Sequence, residues 1–468
     1  MSLRIRLQAC VWGAVCVVLS TGRLWAATAI ALPSPATPNT TAIAGALQRI
    51  CAQLLALPNS AAGVPAEQDL ARQCPFFENA TPAAVAPAYA AIQGQQITAL
   101  SPLIGEFASL QHDDLTERLA EVRQGAHGVD LTGVNLRGSD DGLMRAGGPT
   151  LMDFLPAPAG GSDSAPAWLD GRLGFFVNGN VTIGSKMNTP NNYAFDVKKN
   201  LITIGGDYRV TDWLVTGAAY GGGQTRVLFA NNLGRMDLHD NGLSVYASLY
   251  HSAFYLDFLA GYGVSRLSLD RGVDFSNTIS AAPVDQQAVG STNVHNVWTG
   301  LSLGEDVNWH QILITPEASL NWRQGQLDSF TESMSQPAAA GSGLALAYGS
   351  TTVDFVQARL GVSIGGTWSS PWGVFQPQIH GMAIRDLINE PNTYSVRFAS
   401  AENLGGAVDT PVTISGDYPV QQYYALGASI RATLPRGFSA FFDYEQMTHT
   451  LSMKAHQLSF GVRCQLGD

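Results

Sequence analysis

The side chains that could share protons or activate a nucleophile are few and scattered: His380, Asp386, Glu445, His449 and His456. A histidine beside carboxylates can act as a general acid or base, and can activate a nucleophile held within hydrogen-bond reach. No nucleophile motif orders these five, so His380 reads as a hydrogen-bonded wall residue. His449 and His456 read as solvated residues flanking a loop. His112 and Asp113 form a pair at a break in a helix, and no Cys/His spacing suggests zinc. Gly205-Gly206 and Gly221-Gly222-Gly223 fall at strand positions and do not read as phosphate loops. The expectation is a protein that is not an enzyme and holds no metal and no cofactor.

The elements that would position these residues are strands. Between Leu243 and Arg271, Leu243, Val245, Ala247 and Leu249 alternate with Ser244, Tyr246, Ser248 and Tyr250. After a short break at His251–Ala253, Phe254, Leu256, Phe258, Ala260 and Tyr262 alternate with Tyr255, Asp257, Leu259 and Gly261. Period two over this length means long extended strands with two unlike faces. Aromatic residues on both sides of the break suit a turn at a membrane interface.

Charged residues make up only 13% of the 468, yet no apolar run long enough for a spanning helix follows residue 30. The net charge of −11 leaves no basic stripe to neutralise phosphates, which argues against nucleic acid. Arg4 and Arg6, an apolar core from Ala9 to Leu19 and small residues at Ala26, Ala27 and Ala29 read as a secretory signal peptide, with cleavage after Ala26 or Ala29 and 1–26 taken as its span. Export leads to an oxidising compartment, where Cys51 and Cys74, in one helical region, form the expected disulfide. Cys464, on the apolar face of a late strand, reads as a small hydrophobe.

A small helical region is expected over 27–125, with helices beginning near Asn39, Glu67, Thr81-Pro82 and Ser101-Pro102. The fourth carries Leu103, Phe107, Leu110, Leu119 and Val122 and is expected to break near Asp113. A Gly/Pro-rich linker occupies 126–167, and strands fill 168–468, the eighth read as one run over Leu346–Trp368. Short joins such as Val210–Asp212, His251–Ala253, Asn308–Gln311, Ser369–Trp372 and Pro435–Gly437 alternate with long ones at Gly272–Gly290, Leu327–Ala345 and Leu387–Gln421. That alternation is the signature of outer-membrane strands. The fold class is therefore all-β, a transmembrane antiparallel β-barrel of about 12 strands preceded by a small α-helical region. Arg172, Asp257, Arg359, Arg431, Asp443, Glu445 and Arg463 fall on the polar faces and would be lumenal charges, because a charge facing lipid is costly.

Leu201–Gly221 (LITIGGDYRVTDWLVTGAAYG), Gly242–Gly263 (GLSVYASLYHSAFYLDFLAGYG) and the C-terminal FSAFFDYEQMTHTLSMKAHQLSFGVRCQL resemble the autotransporter β-domain, the translocator barrel of type V secretion. The Ala-rich helical segment and Leu119–Gly125 resemble the region before the barrel in some members. The resemblance implies insertion in the Gram-negative outer membrane, translocation or display of an N-terminal passenger, and a helix running through the lumen. It also implies outer-membrane lipid, the barrel-assembly machinery and periplasmic chaperones as partners. Members usually end on an aromatic residue, whereas this chain ends Leu466-Gly467-Asp468. Pro149–Trp168 is too rich in proline and glycine for the lumenal helix, leaving Ser101–Gln124, and it holds no asparagine at which a lumenal cleavage could occur. No repeated passenger strands and no Gly-Asp-Ser-Leu esterase motif are present. The helical region is thus expected to be translocated, displayed or kept as a plug. The alternatives are a passive outer-membrane channel or structural barrel, and a barrel enzyme such as a lipid hydrolase.

Overall fold

The computed structural model describes residues 30–56, 64–104, 106–126, 172–279, 283–402, 404, 406–434, 438–448 and 453–466. The alternating segments form twelve long strands: β1 (Leu173–Lys186), β2 (Phe195–Thr211), β3 (Leu214–Phe229), β4 (Gly234–His251), β5 (Phe254–Phe275), β6 (Val284–Glu305), β7 (Ile312–Leu327), β8 (Thr351–Gly366), β9 (Gly373–Asp386), β10 (Gln422–Leu434), β11 (Phe438–Thr448) and β12 (Met453–Leu466). Each pairs antiparallel with its neighbour. β12 pairs with β1 from Leu173↔Leu466 to Lys186↔Met453, so the sheet closes. Closure gives every backbone group a partner, which lipid cannot offer.

The two faces sort as the alternation requires. Leu243, Val245, Phe254, Phe258 and Tyr262 are exposed outward, while Tyr246, Tyr250, Tyr255, Asp257 and Leu259 are buried inward. Trp213, Phe254, Trp309, Trp368 and Trp372 are exposed around the short-turn end, where amphipathic rings favour a membrane interface.

Four helices precede the barrel: α1 (Pro38–Ala56), α2 (Pro65–Asn79), α3 (Pro82–Ile92) and α4 (Glu106–Ala126). Proline opens α2 and α3, and the Thr81 side chain accepts from Ala84 N to cap α3. α1–α3 lie at the long-loop end, on a small sheet made by the loops themselves: Phe330–Thr331, Leu346–Tyr348, Thr393–Phe398 and Val412–Ser415. Ile43, Leu47, Ile50, Leu70, Phe76 and Phe77 share one apolar core with Tyr394, Val396 and Phe398 of that sheet and with Val197, Leu238 and Leu267 of the barrel. Cys51 and Cys74, both buried, form the disulfide that ties α1 to α2.

Polar clasps reinforce this cap. Asp69 of α2 accepts from Gly341 N at 2.9 Å and Gly343 N at 3.0 Å in the β7–β8 loop. Arg271 of β5 is fully buried and donates to Ala91 O of α3 at 2.7 Å, to Leu344 O at 3.0 Å and to both oxygens of Glu332. One guanidinium therefore joins helix, strand and loop, with its charge matched by a carboxylate.

Three sequence expectations change. α4 is unbroken at Asp113, because the wall supplies partners for its polar side chains, and it starts at Glu106, after a 3₁₀ turn over Gln95–Leu100. The run expected over Leu346–Trp368 is three pieces, since Leu346–Tyr348 belongs to the cap and Trp368–Ser370 pairs in the turn before β9. His456 lies within β12, not beside a loop; it is exposed, and its ring Nδ1 is hydrogen-bonded with the Tyr444 hydroxyl at 2.9 Å. Ala26, all but the first residue of the 126–167 linker and His449 lie outside the described residues, as does the Cys464 side chain.

Candidate functional site: the barrel lumen

α4 runs inside the barrel, from near mid-height to the short-turn end. It has no single apolar stripe because its surroundings differ from turn to turn. Against β1–β6 the contact is close and largely apolar. Phe107 meets Trp298 edge-on at 5.8 Å, and Leu110, Leu115 and Leu119 pack with Phe176, Leu201, Tyr246 and Leu259. The approach depends on missing side chains in the wall. A Cβ at Gly242 would lie 2.6 Å from Phe107, and one at Gly300 would lie 2.6 Å from His112.

Several charged side chains of α4 meet specific partners on the wall. Arg118 donates through Nε to Asp207 Oδ2 at 2.8 Å and also through Nη2, with both side chains buried. Arg123 donates to Asp257 Oδ2 at 2.5 Å and lies 3.6 Å from the Tyr255 ring centroid, while Ser248 donates to Asp257 Oδ1 at 2.5 Å. Thr203 donates to Asp114 Oδ2 at 2.7 Å, and Lys199 Nζ sits 2.8 Å from Glu106 Oε1. A buried ion left without its partner costs several kcal/mol, so these pairs specify where the helix sits along the lumen.

On the opposite side, between α4 and β7–β12, a cavity of about 400 Å³ remains. Arg359 reaches across it to Asp113 Oδ1 at 2.9 Å and Ser109 Oγ at 3.1 Å. Arg431 grips Glu117 with two bonds, 2.6 and 2.8 Å. His380 stands between Asp443 Oδ2 and Glu445 Oε2, each 3.6 Å away. These separations are longer than hydrogen bonds.

Of the expected lumenal charges, Asp257, Arg359 and Arg431 therefore hold α4, and Asp443 and Glu445 flank His380 on the cavity wall. Arg463 pairs in register with Phe176, and its guanidinium converges with Arg118 and Asp207 over Gly174. Arg172 sits just before β1 at the short-turn rim and is exposed. Of the residues first considered for chemistry, His380 and Glu445 come together. Asp386 lines the far end of the same cavity and His456 faces outward. Sequence reasoning missed Asp113, Glu117, Arg118, Arg123 and Asp207. The signal available was a charge in nearly every turn of Glu106–Ala126, too many for a helix with only one wet face.

Comparison with curated proteins finds no match. Among solved structures, the chain is similar to the translocator domain of autotransporter NalP from Neisseria meningitidis, at 16% identity over 63% of this chain and 88% of that one, with a TM-score of 0.48. It is also similar to the beta domain of the Bordetella autotransporter Brka, at 14% identity over 63% and 100% with a TM-score of 0.44. The transport unit of the autotransporter AIDA-I from Escherichia coli gives 11% identity over 62% and 89%, with a TM-score of 0.37. The autotransporter beta-domain family matches residues 175–445, more than half of the 468. A closed twelve-stranded barrel with an N-terminal helical segment in its pore is the architecture this match calls for, and the chain belongs to the autotransporter β-domain family of outer-membrane barrels.

Proposed function

We propose that this barrel is a self-capped translocator whose N-terminal segment has crossed the pore and stays attached. One observation carries the reading. α1–α3 pack at the long-loop end, while α4 descends to the short-turn end, where β1 begins. In outer-membrane barrels short turns face the periplasm and long loops face outward. The chain then passes from outside to periplasm through the lumen before entering the sheet. The signal peptide is cleaved at Ala26, and the barrel-assembly machinery and periplasmic chaperones handle the export-competent chain. The helical region, 27–125, acts as displayed cap and plug, and the reading assigns no catalysis to the lumen.

An epitope tag near Asn59, between α1 and α2, tests the topology by protease shaving. Loss of the tag from intact cells is expected. Loss only after the outer membrane is permeabilised would place the helices in the periplasm and overturn the reading.

A further inference from the structure

The outward face of β2–β5 carries a feature that the lumen does not explain. Paired register sorts this face into rows. One row joins Ile204, Tyr220, Leu243 and Tyr262, all substantially exposed. Nearer the long-loop end, a row joins Gln224, His239 and Arg266, and the next joins Lys198, Arg226 and Asp237. Lys198, Arg226, His239 and Arg266 are exposed, and Arg235 follows one row beyond.

Their height can be estimated from strand geometry. At about 3.3 Å per residue and a tilt of about 40°, Arg266 stands about 30 Å along the membrane normal from Phe254 at the short-turn interface. An outer-membrane apolar band is about 25 Å tall. The basic rows therefore begin just beyond it, at the level of lipid headgroups. On β8–β11 the corresponding outward positions carry one basic residue among those described, Arg385.

Acids are present but do not cancel the two inner rows. Arg226 Nε donates to Asp237 Oδ1 at 2.8 Å while its side chain stays 55% exposed. Arg235 lies 3.5 Å from Asp270 and 3.8 Å from Asp237. Lys198 and Arg266 add two exposed cations on either side of that pair. In a chain of net charge −11, this local excess is a selective feature. Planar guanidinium groups suit phosphate oxygens, and a lysine adds a point charge.

We propose that Lys198, Arg226 and Arg266 form a docking site for the phosphate groups of an outer-leaflet glycolipid of the lipid A type. Tyr220 and Tyr262 lie beneath it as ring contacts for the acyl–sugar boundary. The ligand is lipid-borne: a phosphate held at this height has its acyl chains alongside the apolar rows of β2–β5.

The test is native mass spectrometry of the detergent-solubilised full chain, titrated with bisphosphorylated lipid A, dephosphorylated lipid A or inorganic phosphate. Saturable retention of the bisphosphorylated lipid is expected, with at least tenfold weaker retention by the Lys198→Gln/Arg226→Gln/Arg266→Gln variant. Arg385→Gln on the far wall should bind as the parent does. Equal retention of dephosphorylated lipid, competition by millimolar inorganic phosphate, or undiminished binding by the triple variant would each overturn the proposal. Should the triple variant fail to fold, Arg266→Gln alone must still weaken retention severalfold, and binding by the parent chain must fall steeply with salt; failure of either overturns it.

Discussion

The two halves of the barrel treat the same helix differently. Against β1–β6, α4 is packed dry: Trp298 and Arg118 are almost fully buried, and glycines at 242 and 300 let the helix touch the wall. Against β7–β12 it is held at arm's length across a cavity of about 400 Å³ by Arg359–Asp113 and Arg431–Glu117. The dry side uses shape and desolvated charge, which are costly to disturb. The wet side uses ion pairs that water can partly replace. The difference teaches that one wall fixes the helix and the other leaves space beside it.

The sharpest way to break this comparison is Asp207→Ala. It removes the carboxylate that the buried Arg118 is seen to pair with and should cost about 3–5 kcal/mol, read as a fall in the thermal transition of the detergent-solubilised barrel. Adding Arg118→Leu should recover most of the loss. A cost equal to that of Asp113→Ala on the wet side would erase the distinction between the walls.

Next in size is the cap. Replacing Cys51 and Cys74 together by serine should cost about 2–4 kcal/mol. Amide exchange should accelerate in α1 and α2 and leave α4 protected. Faster exchange throughout α4 would mean that cap and plug open as one unit.

Gly300→Ala sharpens the dry side, since its Cβ would press on His112. Overpacking of about 1–3 kcal/mol is expected, read by the same thermal transition. The smallest effect belongs to the wet side. Glu117→Gln weakens the two bonds from Arg431 and should cost about 1–2 kcal/mol. Single-channel current in planar bilayers should rise nonetheless, because only Arg359 then ties the helix firmly to that wall. An unchanged current would mean that the dry contacts alone set the pore.

The barrel was legible because lipid and lumen impose opposite demands on successive residues. Phe254, Leu256 and Phe258 against Tyr255, Asp257 and Leu259 announce both strand and face with no knowledge of neighbours. Short and long joins likewise announce the antiparallel order. The plug was harder to read. By sequence alone, His112-Asp113 reads as a break in the helix. In the lumen each member finds its own wall, His112 against β6 and Asp113 with Arg359 of β8. His380 and Glu445 are only two of five scattered candidates in the sequence; their meeting, with Asp443 beside them, comes from strand register across β9, β10 and β11.

By itself, the sequence determined the strands, their two faces, the turn alternation and the cysteine pair, because each depends on local spacing or on the solvent a side chain meets. The tertiary structure decided which wall α4 touches, which carboxylate each arginine takes and where the cap sits. Those depend on residues as far apart as Arg118 and Asp207 or Arg431 and Glu117 being brought within bonding distance by closure of the sheet. Only when β12 meets β1 is there an inside for the helix to occupy.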